Sequence, residues 1–153
     1  MKKLNTYCGL YCGSCEIFLV NQKGIVEETA KEWEMKSKDL ICNGCKTYTN
    51  SVFCRDCKIK LCAESKELDY CFQCEEFPCA DLMNFKDDEN PHHSIVLHNL
   101  NDIKYLGTNK WLTEQEERWS CSECGEKYSW YDEKCPNCSS PVRSCVDDEN
   151  KIK

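Results

Sequence analysis

Cysteine pairs constrain the fold of this chain more than any other feature of its sequence. Sixteen of the 153 residues are cysteine, and twelve of them stand in six C-x2-C pairs. The pairs are Cys12/Cys15, Cys42/Cys45, Cys54/Cys57, Cys71/Cys74, Cys121/Cys124 and Cys135/Cys138. A C-x2-C step forms a tight turn, here called a knuckle, and two knuckles supply the four thiolates of a tetrahedral zinc site. The spacing therefore predicts metal binding.

The composition suggests that metal replaces part of a hydrophobic core. Hydrophobic residues make up 41% of the chain, and cysteine supplies about a quarter of that share. The free energy of metal binding at a structural site contributes directly to folding. The predicted fold class is a small metal-stabilised α+β protein. It consists of an irregular multi-zinc cysteine-knuckle module with two or three helices and a C-terminal zinc ribbon.

The N-terminal residues, the lack of a long apolar run and the net charge indicate in which compartment the protein lies and which partners it binds. No signal peptide follows Lys2 and Lys3, and no apolar run reaches the length of about 18 residues that a membrane span needs. We therefore expect a cytoplasmic protein with reduced thiols and no membrane partner. The net charge is -7, and each four-thiolate zinc site adds about two negative charges. This balance disfavours nucleic acid, so the expected partner is another protein.

The distribution of cysteines predicts three parts of the chain. Residues 1–118 form a cysteine-rich multi-metal domain with a helical middle segment, residues 119–145 form the zinc ribbon, and residues 146–153 form a disordered tail. Helical periodicity predicts one helix over residues 25–38, with Trp33 in the core. A second helix is expected between Asn90 and Gly107, and a third from Thr113.

The C-terminal knuckles are separated by ten residues and predict one self-contained metal site. Its expected ligands are Cys121, Cys124, Cys135 and Cys138. Tyr128, Trp130 and Tyr131 lie between the knuckles and have the β-propensity of a hairpin. The segment resembles a zinc ribbon of the rubredoxin-knuckle type. Rubredoxin-like sites also hold iron, so the expected metal is zinc, with iron or iron–sulfur as the alternative.

The N-terminal block has one cysteine fewer than three tetrahedral sites require. We predict about three zinc ions here, bound by Cys8, Cys12, Cys15, Cys42, Cys45, Cys54, Cys57, Cys62, Cys71, Cys74 and Cys79. If the four knuckles fill two sites, Cys8, Cys62 and Cys79 are left for the third. Its fourth position would be closed by a histidine or open to water or substrate.

The missing ligand defines two further expectations. The candidate histidines are His92, His93 and His98, and Cys145 is expected to be a free thiol. We expect a closed site, because small cysteine-rich proteins mostly use zinc to stabilise the fold. A deep pocket beside the N-terminal cysteines is therefore not expected.

Several motifs of the N-terminal block resemble those of one family. They are the opening Cys8-Gly-Leu-Tyr-Cys12-Gly-Ser-Cys15, the later Cys71-Phe-Gln-Cys74-Glu-Glu-Phe-Pro78-Cys79, and Gly107-Thr-Asn-Lys-Trp111-Leu112. The chain is similar over about residues 5–115 to a prokaryotic family of cysteine-rich proteins known as a domain of unknown function. The resemblance implies metal ligation by the eleven cysteines and leaves the activity open.

The sequence favours a binding or interaction module over an enzyme. Trp111, Trp119, Trp130 and Tyr131 are candidates for a protein interface or for packing between the parts of the chain. The alternative is an iron–sulfur redox protein or a metal-dependent enzyme that uses an under-filled thiolate site. The spacing of the first three cysteines also occurs in radical S-adenosylmethionine enzymes, but Ser14 stands where those enzymes usually have an aromatic residue.

Overall fold

The computed structural model describes residues 3–153, and in this range the regular structure is helical. Short 3-10 turns cover Cys12–Ser14, Cys71–Gln73 and Pro91–His93. The nine α-helices of the described range are α1 Glu16–Lys23, α2 Val26–Glu32, α3 Ser37–Leu40, α4 Val52–Arg55, α5 Lys58–Ser65, α6 Ala80–Lys86, α7 Val96–Leu106, α8 Thr108–Arg118 and α9 Cys145–Ile152.

The predicted α+β class with a β-ribbon is wrong. Residues 3–153 contain no strand, and their only β-type pairings are three isolated bridges, Asn5 with Tyr11, Ser120 with Lys127 and Lys134 with Pro141. The expected hairpin does not form because its backbone groups pair elsewhere. Trp130 donates its N–H to the carbonyl of Ser14 and accepts a hydrogen bond from the N–H of Cys145.

The helix expected over residues 25–38 is interrupted. It divides into α2 and α3 because Glu34 takes a left-handed conformation with φ of 54°. The N–H of Met35 then bonds the carbonyl of Ala30 at 2.8 Å, which closes the C-terminus of α2 in a Schellman arrangement. Trp33 caps this end and packs against the buried residues Ala30 and Leu40.

The main core joins the N-terminal loop to the middle helices and to the C-terminal segment. Trp111 of α8 is fully buried and meets Tyr11 edge-to-face at 6.2 Å. Leu100 of α7 lies in the same cluster, which also includes Trp119 and Tyr128. Two of the tryptophans considered as interface residues, Trp111 and Trp119, are thus core residues.

The C-terminal residues differ from the expected disordered tail. They form α9, whose start is closed by a capping box between Ser144 and Asp147. The carboxylate of Asp148 pairs with Arg118 at 2.8 Å and with Arg143 at 3.2 Å. The division at residue 118 stays a prediction. Within residues 3–153, no helix has both the length and the apolar character required to cross a membrane.

Candidate metal centres

Four cysteines near the C-terminus form a compact set of possible metal ligands. The sulfur atoms of Cys121, Cys124, Cys135 and Cys138, here called the C-terminal cluster, all lie within 4.8 Å of one another. Cys121 is 3.6 Å from Cys138 and Cys124 is 3.5 Å from Cys135, sulfur to sulfur. A tetrahedral ion with 2.3 Å metal–sulfur bonds spaces its ligands about 3.8 Å apart. The spacing therefore fits a single four-coordinate ion, and all four thiols are free.

The first knuckle is shaped by local hydrogen bonds. The N–H of Gly125 bonds the carbonyl of Cys121 at 2.8 Å, and the N–H of Cys121 bonds the carbonyl of Glu126 at 2.8 Å. Gly125 has φ of 78°, a conformation that glycine adopts without steric cost. The turn thus holds Cys121 and Cys124 on the same side of the loop.

The second knuckle repeats this arrangement. The N–H of Ser139 bonds the carbonyl of Cys135 at 3.0 Å, and the N–H of Cys135 bonds the carbonyl of Ser140 at 2.8 Å. Ser139 takes the place of Gly125 and also has positive φ, 62°. Two similar turns therefore face each other, as the spacing of the four cysteines predicts.

Hydrogen bonds favour the thiolate form of two cysteines in this cluster, Cys124 and Cys138, whereas desolvation and side-chain hydrogen bonds with Cys124 and Cys121 raise the pKa of Cys135 to about 11. The hydroxyl of Ser140 lies 3.2 Å from the sulfur of Cys138. Together with a backbone N–H of Ser140 it lowers the pKa of Cys138 to about 6. The side chain of Asn137 and the backbone of Glu126 lower the pKa of Cys124. Because the thiolate is the form that binds metal, these contacts prepare the cluster for a cation.

The C-terminal cluster is anchored to the main core. Trp119, which precedes the first knuckle, meets Tyr128 at 5.5 Å between ring centroids. Both side chains are buried, as are Cys121 and Cys135, whereas Cys124 and Cys138 are exposed. The site therefore sits at the surface with half of its ligands packed inward.

The eleven N-terminal cysteines divide into two neighbourhoods. In residues 3–153 only the C-terminal cluster gathers three or more candidate ligand atoms within 4.8 Å, so both neighbourhoods are looser. Their members are identified by the cavity that they line and by the electrostatic effects of one thiol on another. The first neighbourhood contains Cys8, Cys12, Cys15, Cys42, Cys45, Cys54 and Cys57.

Burial dominates the electrostatics of this first neighbourhood. It raises the pKa of Cys8 and of Cys15 to about 11, and that of Cys45 to about 12. The charge of Cys54 adds to the raised pKa of all three thiols. Buried thiolates require a compensating cation, which is what a bound metal would supply.

The second neighbourhood surrounds a cavity of about 270 Å³. Its wall contains Cys62, Cys71, Cys74 and Cys79. Burial and the charge of Cys8 raise the pKa of Cys71 to about 12, and the other three cysteines of the wall add to that shift.

The three cysteines that the four knuckles would leave over do not all line one cavity. Cys62 and Cys79 lie in the cavity wall with Cys71 and Cys74, and Cys8 is not part of that wall. A cavity beside these cysteines was not expected. The physical reason is that residues of α5, of the turn at Cys71–Gln73 and of α6 line the cavity together, a tertiary arrangement that the spacing of cysteines does not encode.

None of the three histidines joins a group of candidate ligands in the described residues. His92 stacks on Trp130 at 4.2 Å and shares a hydrogen bond of 2.7 Å with Tyr131. His93 pairs with Asp88 at 2.8 Å. His98 is exposed on α7.

One residue beside the cavity was missed by the sequence reasoning. The ammonium group of Lys66 lies 3.3 Å from the sulfur of Cys74 and 2.8 Å from a carboxylate oxygen of Glu76. Lys66 follows Cys62 by four residues at the end of α5, so helical spacing could have placed it on the same face.

Comparison with known proteins identifies a family and no activity. A family model described as "Protein of unknown function (DUF3795)" matches residues 4–84. The match ends earlier than the resemblance expected over residues 5–115 and does not reach the C-terminal cluster. Neither a curated protein nor a solved structure matches the chain.

Proposed function

The chain belongs to the DUF3795 family of unknown function, and we propose that it is a zinc protein whose metals stabilise a scaffold for binding another protein. The observation that carries the zinc proposal is the C-terminal cluster, in which four free thiols lie within 4.8 Å of one another. Closed four-thiolate sites are typical of structural zinc. About three further zinc ions are proposed for residues 8–79.

Metal analysis of the full chain tests this proposal. Protein purified under reducing, anaerobic conditions is expected to contain zinc and to be colourless, because zinc has a filled d shell. Cys121→Ser should lower the zinc content by one equivalent and leave the N-terminal metal in place. Cys145→Ser is the matched control, since Cys145 lies outside both neighbourhoods and the C-terminal cluster.

The outcomes separate zinc from its alternative. Iron with visible absorption would contradict the zinc proposal and favour an iron–sulfur protein. An unchanged metal content in Cys121→Ser would show that the C-terminal cluster binds nothing. The free thiols also motivate the proposed cytoplasmic location, because that compartment keeps cysteines reduced.

Exposed apolar side chains support the proposed binding role. Tyr48 and Phe53 are exposed, and both lie in the segment between the Cys42/Cys45 and Cys54/Cys57 knuckles. Such side chains are enriched at protein interfaces. The net charge of -7 makes a protein partner more suitable than nucleic acid.

Site-specific photo-crosslinking in cells tests this role. A photoreactive residue at position 48 or 53 is expected to give a discrete adduct with one protein. The same residue at the exposed position of Lys151 serves as the control. Equal labelling at all three positions would argue against a specific surface in residues 46–53.

A further inference from the structure

The second neighbourhood of cysteines lines a cavity that three separate elements create. Cys62 comes from α5, Cys71 and Cys74 come from the 3-10 turn and the residue after it, and Cys79 caps the start of α6. The cavity has a volume of about 270 Å³, and Ile59, Leu82 and Phe77 supply apolar parts of its wall. Four cysteines therefore line one partly apolar cavity.

We propose that Cys62, Cys71, Cys74 and Cys79 bind a metal centre of their own in this cavity, distinct from the C-terminal cluster. The inference deepens the proposed function, on which it rests, by assigning one complete ligand set among the eleven N-terminal cysteines. Four thiolates complete a tetrahedral site, so this centre needs neither a histidine nor water as a ligand.

Backbone hydrogen bonds close the turn at Cys71, as they do at the Cys12/Cys15 pair. The N–H of Cys74 bonds the carbonyl of Cys71 at 3.1 Å, and the N–H of Phe77 bonds the carbonyl of Cys74 at 3.1 Å. Both cysteines of this turn line the cavity. Cys79 follows at the first turn of α6, where the N–H of Met83 bonds its carbonyl.

Lys66 supplies the charge that such a centre requires. A divalent ion with four thiolates has a net charge of about -2. The ammonium group of Lys66, 3.3 Å from the sulfur of Cys74, offsets part of this charge and donates a hydrogen bond to the thiolate. Glu76 holds the ammonium group in place at 2.8 Å. This is the kind of outer contact that orients and stabilises metal ligands.

The spacing of the sulfur atoms predicts a closing movement. The four sulfur atoms of this cavity do not all lie within 4.8 Å of one another, in contrast to those of the C-terminal cluster. A single zinc ion would therefore draw α5, α6 and the turn together and reduce the cavity. An iron–sulfur cluster uses the same four thiolates at wider spacing. Both are four-thiolate centres, and the measured metal distinguishes them.

Metal content of cysteine variants tests the assignment. The full chain is purified under reducing, anaerobic conditions, and zinc and iron are measured for wild type, Cys74→Ser and Cys145→Ser. Cys74→Ser is expected to lose the metal of one centre and to retain that of the C-terminal cluster, while Cys145→Ser loses none. An unchanged metal content in Cys74→Ser would overturn the assignment.

A second measurement on the wild-type chain avoids any folding defect of the variants. Thiol alkylation followed by peptide mass spectrometry is performed as chelator is added in steps. Cys62, Cys71, Cys74 and Cys79 are expected to be protected at first and to become reactive together. Reaction of Cys62 or Cys79 at the rate of a free thiol in metal-loaded protein would contradict a shared centre.

The same experiments separate this inference from the broader proposal. If Cys121→Ser loses metal and Cys74→Ser does not, the proposal of a C-terminal zinc site is supported and the proposal of a cavity site is rejected. Lys66→Gln adds a readout specific to the cavity, since loss of an outer contact typically weakens metal binding at least about tenfold. Lys58→Gln, an exposed position on the same helix, should leave metal retention unchanged.

Discussion

At the scale of single residues, hydrogen bonds favour ionisation of Cys124 and Cys138, whereas burial opposes it at Cys8, Cys15 and Cys45. In the C-terminal cluster the contact between Ser140 and Cys138 is the clearest case, because it lowers the pKa of that thiol to about 6. A thiolate already formed near neutral pH need not release a proton when metal binds. The affinity for metal should therefore depend on this hydroxyl.

Ser140→Ala is expected to weaken the C-terminal site by about tenfold, the lower end of the effect of outer contacts on metal affinity. Without the hydroxyl the pKa of Cys138 rises, so the loss grows as the pH falls. Chelator competition at several pH values measures it. Ser37→Ala, whose hydroxyl bonds Glu27 away from the cysteines, is the control. Equal affinity of both variants would show that Ser140 has no such role.

His92 makes a second prediction at this scale. Burial, assisted by the charge of His93 and opposed by that of Asp88, lowers the pKa of His92 to about 3. The ordinary pKa of histidine is about 6.5. Between about pH 6.5 and 3, His92 is therefore protonated in the unfolded chain and neutral in the folded chain. The neutral ring therefore favours folding fully above pH 6.5, and this contribution is lost as the pH falls through that window.

Imidazole nitrogen NMR on the folded protein tests this expectation. His92 should show no protonation between pH 7.5 and 5, and replacement by glutamine should reduce the loss of stability in acid. Titration of His92 with a midpoint near its ordinary pKa would contradict the enclosed environment between Trp130 and Tyr131.

At the scale of elements, the docking of α7 on the N-terminal loop depends on a glycine. Gly9 has φ of 94°, and its carbonyl accepts a hydrogen bond from Asn99 at 2.8 Å. A Cβ atom at this position would lie 2.8 Å from the carbonyl oxygen of Val96 and 3.0 Å from Leu100. Glycine is needed here both for its conformation and for the close approach of the helix.

Gly9→Ala should therefore destabilise the protein more than Gly24→Ala does. Gly24 also has positive φ, 68°, but a Cβ atom there would meet nothing within 4 Å. Both variants place alanine at positive φ, and Gly9→Ala adds the clash with α7, so we expect a difference of about 1–3 kcal/mol in free energy of unfolding. Denaturant unfolding of metal-loaded protein measures it. Equal free energies of unfolding of the two variants would mean that α7 shifts away from the added Cβ atom without cost.

Features built from contacts between neighbouring residues could be predicted from the sequence, whereas features built from distant contacts could not. The C-terminal cluster was predictable because its turns close through hydrogen bonds between neighbours, such as Gly125 with Cys121. The second neighbourhood was not, because Cys62 and Cys79 meet only through the packing of α5 and α6. The predicted hairpin failed for a related reason, since Trp130 takes a distant partner in Ser14.

Helix boundaries show the limit of periodicity as a guide. Gly107 ends α7 as predicted, and its conformation suits the role, with φ of 84°. The break after α2 uses Glu34 in a left-handed conformation, and no glycine marks it in the sequence. The start of α8 at Thr108 lies five residues before the expected Thr113, directly after Gly107.

At the scale of the whole molecule, metal and hydrophobic packing are interdependent. The main core brings Tyr11 and Trp111 together with Trp119 and Tyr128, which flank the C-terminal cluster. Cys8 belongs to this core as well as to the first neighbourhood. Release of metal should therefore leave buried cysteines that take up protons, because burial raises their pKa, and that no ion holds together, so the packing around them loosens.

The most direct test of the account is chelator titration of the full chain under reducing, anaerobic conditions. Metal content, near-ultraviolet circular dichroism and NMR dispersion are followed on the same samples. We predict that the loss of metal abolishes native dispersion and cooperative unfolding, because binding free energy is part of the folding free energy. A metal-free chain that keeps native dispersion and unfolds cooperatively would contradict the claim that metal stabilises this fold.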